Sequence, residues 1–369
     1  MVVPCSRDAG ETVMSFFYDL DRSDPVQRRV AANLVRLGDA LTDETLPKTV
    51  DDTLLLATWN IREFDSPAYG LRGVEPYHYI AEIISRFDLV AIQEVRRDTE
   101  PLEKLRRLLG RWWKYLVTDV TGGSEGNKER MAFLYDSRKV RFGGLAGEVV
   151  IPPIETRDEN RKLVYTPSKQ LARTPYLVGF ETGWFKFMLS TVHIVYGESK
   201  ADDPKREAEI RAIARFMAAR AKEDHAWAEN LILLGDFNIF DPGDVTFKAL
   251  TEAGFVIPEG LQQVTNVGKE ERFFDQMAFM TPNLRKDQIL ASGAFNFYDH
   301  VYRPEDEATY ISDMGDAYGT TSSGKPRGNK SLYYKTYWRT HQMSDHLPLW
   351  AALKVDFGRD YLDRLAGSG

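Results

Sequence analysis

A single cysteine, Cys5, stands in the 369-residue chain, so no intrachain disulfide framework can form and thiolate metal clusters are excluded. Hard-cation chemistry on oxygen ligands stays open. The sequence nowhere holds the roughly eighteen consecutive apolar residues that a membrane-spanning helix needs. Met1 to Asp21 carries acidic residues and no continuous apolar segment. No membrane span and no secretory signal are therefore expected, which makes the cytoplasm the expected compartment. Positive charge is not in excess either. A formal net charge of -7 argues against a surface coated for tight nonspecific nucleic-acid binding, which shows a basic balance. A nuclease stays open, because the clustered carboxylates of a metal site themselves make the count acidic. No internal repeat is visible.

What is present describes a folded body. Hydrophobic residues make up 43% and charged residues 28% of the chain, with seven tryptophans, whereas disordered chains are poor in large apolar side chains. Pro25 to Leu41 reads as an amphipathic helix, with Asp24 as N-cap, Pro25 first, and Val30, Leu34, Leu37 and Leu41 at helical spacing. Residues 1–50 form an N-terminal helical extension expected to pack on the outside. Apolar runs fitting buried strands follow at Thr53 to Trp59, Leu89 to Ile92, Ala132 to Tyr135, Tyr176 to Phe180, Phe185 to Val195, Leu231 to Leu234, Met277 to Met280 and Leu349 to Val355. Helical patterns at Tyr77 to Ser85, Leu102 to Leu109 and Asp203 to Lys222 separate several of them. Such alternation predicts layered α/β packing in one domain over residues 51–357. Thr281 to Met343, rich in tyrosine, glycine and polar residues, reads as a long insertion with a flexible loop at Gly319 to Lys330. Residues 358–369 read as a tail.

One pattern recurs along the chain: an apolar strand borders residues suited to metal or proton chemistry. Asn60 follows Leu54 to Thr58, Glu94 follows Leu89 to Ile92, Asp236 and Asn238 follow Leu231 to Leu234, and Asp345 and His346 precede Leu349 to Val355. Strand ends let a rigid sheet present a catalytic group with little positional freedom. Any one of these taken alone reads more simply as a solvated carboxylate or a turn asparagine. Their recurrence carries the argument.

The stretches Trp59-Asn60-Ile61-Arg62-Glu63-Phe64, Ile92-Gln93-Glu94-Val95-Arg96, Lys128-Glu129-Arg130, Gly235-Asp236-Phe237-Asn238 and Ser344-Asp345-His346-Leu347-Pro348 together resemble the endonuclease/exonuclease/phosphatase superfamily, in the family's order. The resemblance is strongest to its deoxyribonuclease I-like branch. It implies a four-layer α/β/β/α sandwich, with two mixed sheets packed face to face and helices outside. It also implies that Glu94 is the principal metal-ligand carboxylate, with Asn60 and Asp345 adding oxygens. Such oxygens suit Mg²⁺, with Mn²⁺ or Ca²⁺ as alternatives. By the same resemblance Asp236 orients or helps deprotonate the attacking water, and Asn238 donates to the phosphate. His193 and His346 resemble the two catalytic histidines, with Glu129 and Asp275 as the carboxylates that fix their tautomers. Arg173 resembles an arginine on the phosphate beside the scissile bond, and Arg62 and Arg96 resemble substrate-contacting arginines.

The function these resemblances imply is hydrolysis of nucleic-acid phosphodiesters, DNA first, by in-line attack of activated water to leave a 5′-phosphate. Departures from the branch's pattern keep other readings open. Gln276 follows Asp275 where the family carries arginine or histidine, and Asn127 lies near where the nuclease places a groove-reading tyrosine. A phosphatase or sphingomyelinase-like phosphodiesterase uses the same fold, and an inactive interaction module is the reading of another class. Lys325, Arg327, Lys330, Lys335 and Arg339 stand near Tyr333, Tyr334, Tyr337 and Trp338, a mixture that could grip a backbone and stack bases or could be a solubilising loop before a buried aromatic segment. No protein partner is expected, and the chain is expected to be a monomer.

Overall fold

The computed structural model describes residue 17 and residues 19–268, 270–280 and 288–367. In chain order its strands are β1 (Thr53–Phe64), β2 (Leu89–Val95), β3 (Trp113–Val117), β4 (Arg130–Asp136), β5 (Arg141–Glu148), β6 (Ile154–Arg157), β7 (Leu163–Thr166), β8 (Tyr176–Thr182), β9 (Phe185–His193), β10 (Asn230–Asp236), β11 (Asp275–Met280), β12 (Ile289–Ala294) and β13 (Leu349–Lys354). They make two large sheets, in the orders β12-β13-β1-β2-β4-β3 and β11-β10-β9-β8-β5, and a small β6-β7 ribbon. Each large sheet contains one parallel pair, β1 with β2 and β9 with β10, and its other neighbours are antiparallel.

A parallel pair needs a long crossover, and helices supply both. The segment α1 (Pro25–Glu44) precedes the first sheet, α2 (Val74–Ser85) joins β1 to β2, and α3 (Glu100–Leu109) follows β2. On the second sheet, α4 (Pro204–Arg220) joins β9 to β10, and α5 (Val245–Thr251) follows. As the sequence pattern predicts, the Asp24 side chain accepts from the Val26 amide at 2.8 Å to cap α1. The same helix buries Val30, Leu34, Leu37 and Leu41. Asp203 caps α4 by accepting from the amides of Lys205 and Arg206. Helices α1, α2 and α3 cover the outer face of the first sheet around Leu55, Ala57, Trp59 and Ile92. Ile210, Ile213 and Met217 of α4 cover the outer face of the second. The expected α/β/β/α sandwich is therefore the observed architecture.

The inner faces meet through Leu54, Leu56, Leu89 and Ala91 on one side and Phe187, Leu189, Ile232 and Leu234 on the other. With both faces of the central strands covered, their sequences are near-continuous apolar runs rather than alternating ones. Apolar runs therefore located β1, β2, β4, β8 to β11 and β13, while β3 and β5 to β7 were not predicted. The burial pattern of β5, β6 and β7 explains this, since most of their residues are exposed.

Two boundaries differ from the expected ones. Within the segment read as an insertion, Ile289–Ala294 is the edge strand β12, paired antiparallel with β13, because edge pairing asks for backbone groups and not for an apolar run. The remainder is compact, and residues 281–287 lie outside the described residues. Residues 358–365, read as part of a tail, form the helix Gly358–Leu365, with Tyr361 packed 5.6 Å from the Trp184 ring. Among the described residues, no helix is long and apolar enough to cross a membrane.

Candidate active site

The topology places the sequence motifs at one edge. A strand parallel to its neighbour ends at the same edge, and an antiparallel strand begins there. Asn60 and Glu94 lie at the carboxyl ends of the parallel β1 and β2, and His193 and Asp236 at those of β9 and β10. Glu129, Asp275 and the Asp345-His346 pair stand where the antiparallel strands β4, β11 and β13 start. Crevices at the carboxyl ends of parallel strands are common ligand sites in α/β folds.

Along the inner faces the side chains turn from apolar to polar as this edge is reached. Leu54 and Leu56 give way to Thr58 and Asn60, Leu89 and Ala91 to Gln93, Phe187 and Leu189 to Thr191 and His193, and Ile232 and Leu234 to Asp236. Gln93 forms the floor, donating through Nε2 across the sheet interface to Thr191 Oγ1 at 2.8 Å and within its own sheet to Thr58 Oγ1 at 3.1 Å. Gln93 satisfies its amide there, and the candidate site residues stand one layer above.

Local backbone geometry aims those groups. Glu94 has φ of +61° and Asn238 of +53°, conformations that non-glycine residues adopt only when the surroundings hold them. Glu94 is held by the Asn60 side-chain amide, which donates to Oε1 at 2.9 Å, and by the Glu63 backbone amide, which donates to Oε2 at 2.7 Å. Gly235, at φ +132°, lets β10 lie against β9; a Cβ there would fall 2.1 Å from Val192 O. The next residue, Asp236, accepts from Asn60 Nδ2 at 3.0 Å and from the Asn238 amide at 2.9 Å.

Two imidazoles face that same carboxylate. His193 Nε2 lies 3.5 Å and His346 Nε2 3.7 Å from Asp236 Oδ2. On its other side His193 has Glu129 Oε2 2.9 Å from Nδ1, and His346 has Asp275 Oδ2 2.8 Å from Nδ1. The carboxylates fix the ring orientation and favour Nε2 as the working atom. Burial alone would lower the pKa of His346, but Asp275 and Asp236 outweigh it and push the imidazole well above its ordinary value. For His193, burial and Arg173 lower the pKa while Glu129 and Asp236 raise it, and the balance is upward. Burial raises Glu129, yet His193 and Arg173 hold it below the ordinary carboxylate range.

The arginines named from the sequence all reach this edge, each against a carboxylate. Arg173 Nε lies 2.8 Å from Glu129, Arg96 lies between Glu63 and Glu129 at 3.4 and 3.6 Å, and Arg62 Nε is 3.4 Å from Asp345. Asn238 spends part of its donor capacity internally, giving Nδ2 to Ile194 O at 2.9 Å.

An oxygen-liganded cation fits the donor set beside Glu94. Asn60 Oδ1 is a buried acceptor with no hydrogen-bond partner, and the amide's other end is tied to Glu94 and Asp236. A buried carbonyl oxygen without a donor is costly, and a hard cation would satisfy it. Among the described residues, no three His, Cys, Asp or Glu side chains form a cage. Glu94 and Asn60 would hold such an ion, with water or substrate oxygens completing its shell.

Comparison with known proteins identifies the family. A model of the Endonuclease/Exonuclease/phosphatase family matches residues 57–346. The chain belongs to this family. Endonuclease/exonuclease/phosphatase proteins are hydrolases acting on phosphate esters, nucleases and phosphodiesterases among them, and generally use divalent metal ions. The chain is 26% identical over 313 residues to a protein named Deoxyribonuclease from Thioalkalivibrio sp. (strain K90mix), spanning 83% of this chain and 72% of that one. A solved endonuclease/exonuclease/phosphatase family protein from Bacteroides thetaiotaomicron aligns with a TM-score of 0.50 at 15% identity, over 82% of this chain and 98% of that one. A mannosyl-6-phosphatase from B. thetaiotaomicron VPI-5482 aligns at 0.49 and 14%, over 81% and 98%.

Several supporting residues of this family member carry no signal in its sequence. Arg72 is buried and donates to the carbonyls of Arg62, Gln342 and Met343, tying the end of β1 to the segment before Asp345. Arg206, on the first turn of α4, is also buried; it donates to Asn238 O at 2.7 Å and lies 4.3 Å over the Phe240 ring. In the sequence both look like surface cations. Ser344 and Gln93, by contrast, lie within the strand-end motifs beside Asp345 and Glu94, which is a signal the sequence does carry.

Proposed function

We propose that this chain is a divalent-metal-dependent nuclease that hydrolyses nucleic-acid phosphodiesters, DNA first, by in-line attack of water, leaving a 5′-phosphate. The observation that carries the reading is the pair of imidazoles, each backed by a buried carboxylate, with both Nε2 atoms within 3.7 Å of one Asp236 oxygen. Diester hydrolysis needs a proton taken from water and a proton given to the departing oxygen. Two oriented imidazoles supply one acid and one base. The similarity to a protein named Deoxyribonuclease supports nucleic acid over other phosphate esters.

In this reading a divalent cation, Mg²⁺ by the oxygen donor set, would supply neutralisation of charge on a phosphate oxygen. Glu94, Asn60 and Asp345 would hold it. Asp236 orients the attacking water between the imidazoles, and the free donor of Asn238 meets a non-bridging oxygen. His193 and His346 take and return protons at Nε2, kept in the required tautomer by Glu129 and Asp275. Arg173 stands by the phosphate beside the scissile bond, and Arg62 and Arg96 extend the cationic edge for the flanking backbone. The catalytic unit spans residues 51–357, with residues 1–50 as its helical extension.

The test is a metal-supplemented panel of plasmid, single-stranded DNA, RNA, sphingomyelin, inositol phosphates and bis(p-nitrophenyl) phosphate, run beside His346→Ala. Cleavage of DNA with free 5′-phosphate ends, lost in the variant, is expected. Turnover of only a lipid or sugar phosphate would replace the nuclease with a small-ester phosphatase or phosphodiesterase, and no turnover of any substrate would leave an interaction module.

A further inference from the structure

Beyond the catalytic edge, Lys330 to Gln342 runs as one helix in which α turns at Lys330–Tyr333 and Arg339–Gln342 flank a π turn at Tyr334–Trp338. π turns inside helices recur at functional sites. This helix carries two aromatic rows. The inner row anchors it: Tyr334 is buried, stacks on Tyr310 and Trp338, and donates its hydroxyl to Arg303 O. The outer row is a ladder in which Tyr333 packs against the edge of the core and His341 is buried. Tyr333 and Tyr337 stack with ring centroids 5.5 Å apart, and Tyr337 and His341 stand 4.5 Å apart. Tyr69, from the loop after β1, stacks on His341 at 4.4 Å with the planes 23° apart. Tyr69 and Tyr337 are each 45% exposed.

One end of the ladder meets cations and the other meets the site. Arg327 lies 3.8 Å over the Tyr333 ring. Among the described residues, neither it nor Lys330 nor Lys335 forms an ion pair. At the far end Thr340, beside His341, accepts from Arg62 Nη1 at 2.5 Å, and Arg62 is 3.4 Å from Asp345. Arg72 fastens the same helix end to β1. Burial holds the His341 imidazole down to about 4, so at neutral pH it is an uncharged ring inside the ladder.

We propose that Tyr69, Tyr337 and Tyr333, with His341 buried between Tyr69 and Tyr337 as their backing, form a stacking rail for the unpaired bases of a single-stranded nucleic acid entering the candidate site edge, with Arg327, Lys330 and Lys335 on its phosphates. The proposal rests on nucleic acid being the substrate. The exposed rings of Tyr69 and Tyr337, with cations beside the row that carry no ion pair, suit a strand whose bases are free to stack, because every base has a π face. Paired bases in a duplex interior cannot reach the rail. It therefore selects single strands or frayed ends.

The test compares wild type, Tyr69→Ala/Tyr337→Ala and Tyr69→Phe/Tyr337→Phe, with metal, on a single-stranded oligodeoxynucleotide, the same sequence as duplex, and bis(p-nitrophenyl) phosphate. The alanine pair is expected to raise KM for the single strand by about tenfold or more. Duplex and small-diester turnover should hold, the phenylalanine pair should behave as wild type, and quenching of a 2-aminopurine placed in the strand should vanish with the alanines. An unchanged single-strand KM overturns the rail, as does an equal loss on duplex. A fall in small-diester turnover also overturns it, since the rings would then be holding Arg62 in place. Wild type that hydrolyses the small diester and neither oligonucleotide instead sinks the nuclease reading, which the alanine comparison alone cannot do.

Discussion

Asp236 is the residue on which the edge converges: it accepts from Asn60 and from the Asn238 backbone, and two imidazoles face one of its oxygens. Removing one proton carrier should be severe, and His346→Ala should lower kcat by roughly 10² to 10⁴-fold with the fold intact by circular dichroism. A loss under tenfold would remove His346 from proton transfer. The raised imidazole values also make a stability prediction. A folded-state pKa above the unfolded one contributes stability that is complete below the unfolded value, near about 6.5, and is lost as pH rises through the folded value. Urea midpoints of wild type should fall relative to those of His346→Asn as pH rises above neutrality. Parallel pH profiles would show that Asp275 and Asp236 do not hold His346 protonated. Asn60, Glu94, His193, Asp236, Asp345 and His346 were legible because strand-end motifs mark them. Arg72 and Arg206 were not, since a buried arginine donating to carbonyls leaves no local pattern in sequence.

Elements set how far those residues can wander. β10 can reach β9 closely enough to bring Asp236 beside His193 only because Gly235 has no Cβ to meet Val192 O. Gly235→Ala should cost about 2 kcal/mol or more, from the left-handed φ and the clash together, and should lower activity beyond its effect on the folded fraction. Urea melts and kcat on the same samples would check this, and a wild-type midpoint would refute the close approach. Helix α1 is a separate case, packed on α2, and its Leu37 is fully buried in the cluster on the outer face of the first sheet. Leu37→Ala should cost roughly 2 to 5 kcal/mol and leave kcat per folded molecule unchanged, because its contacts lie on the sheet face away from the catalytic edge. Strong amphipathic spacing and N-caps made α1 and α4 readable. The exposed β6-β7 ribbon and the edge strand β12 were not, because backbone pairing there proceeds with little apolar patterning.

At the scale of the molecule, the balance of -7 means that a polyanion must be met by local cations. If Arg62, Arg96, Arg173 and the cations of the Lys330 helix meet phosphates, the KM for DNA should rise steeply between low and moderate salt while that for a small diester changes little. Equal salt dependence of both would place the phosphate contacts elsewhere. Stringent chelation should abolish turnover, with activity restored by Mg²⁺ or Mn²⁺; unchanged turnover would remove the metal from the reading.

By itself the sequence determined the layered α/β class and the family and marked the candidate site residues, because apolar runs ending in polar motifs are local features of the chain. The tertiary structure alone decided which residues meet. It turned Glu129 and Asp275, which lie 64 and 71 residues from their histidines by numbering, into direct neighbours, since antiparallel strands begin where parallel ones end. It also set Tyr69 against His341, a contact between segments that share no pattern and are joined only by the packing of the Lys330 helix on the end of β1.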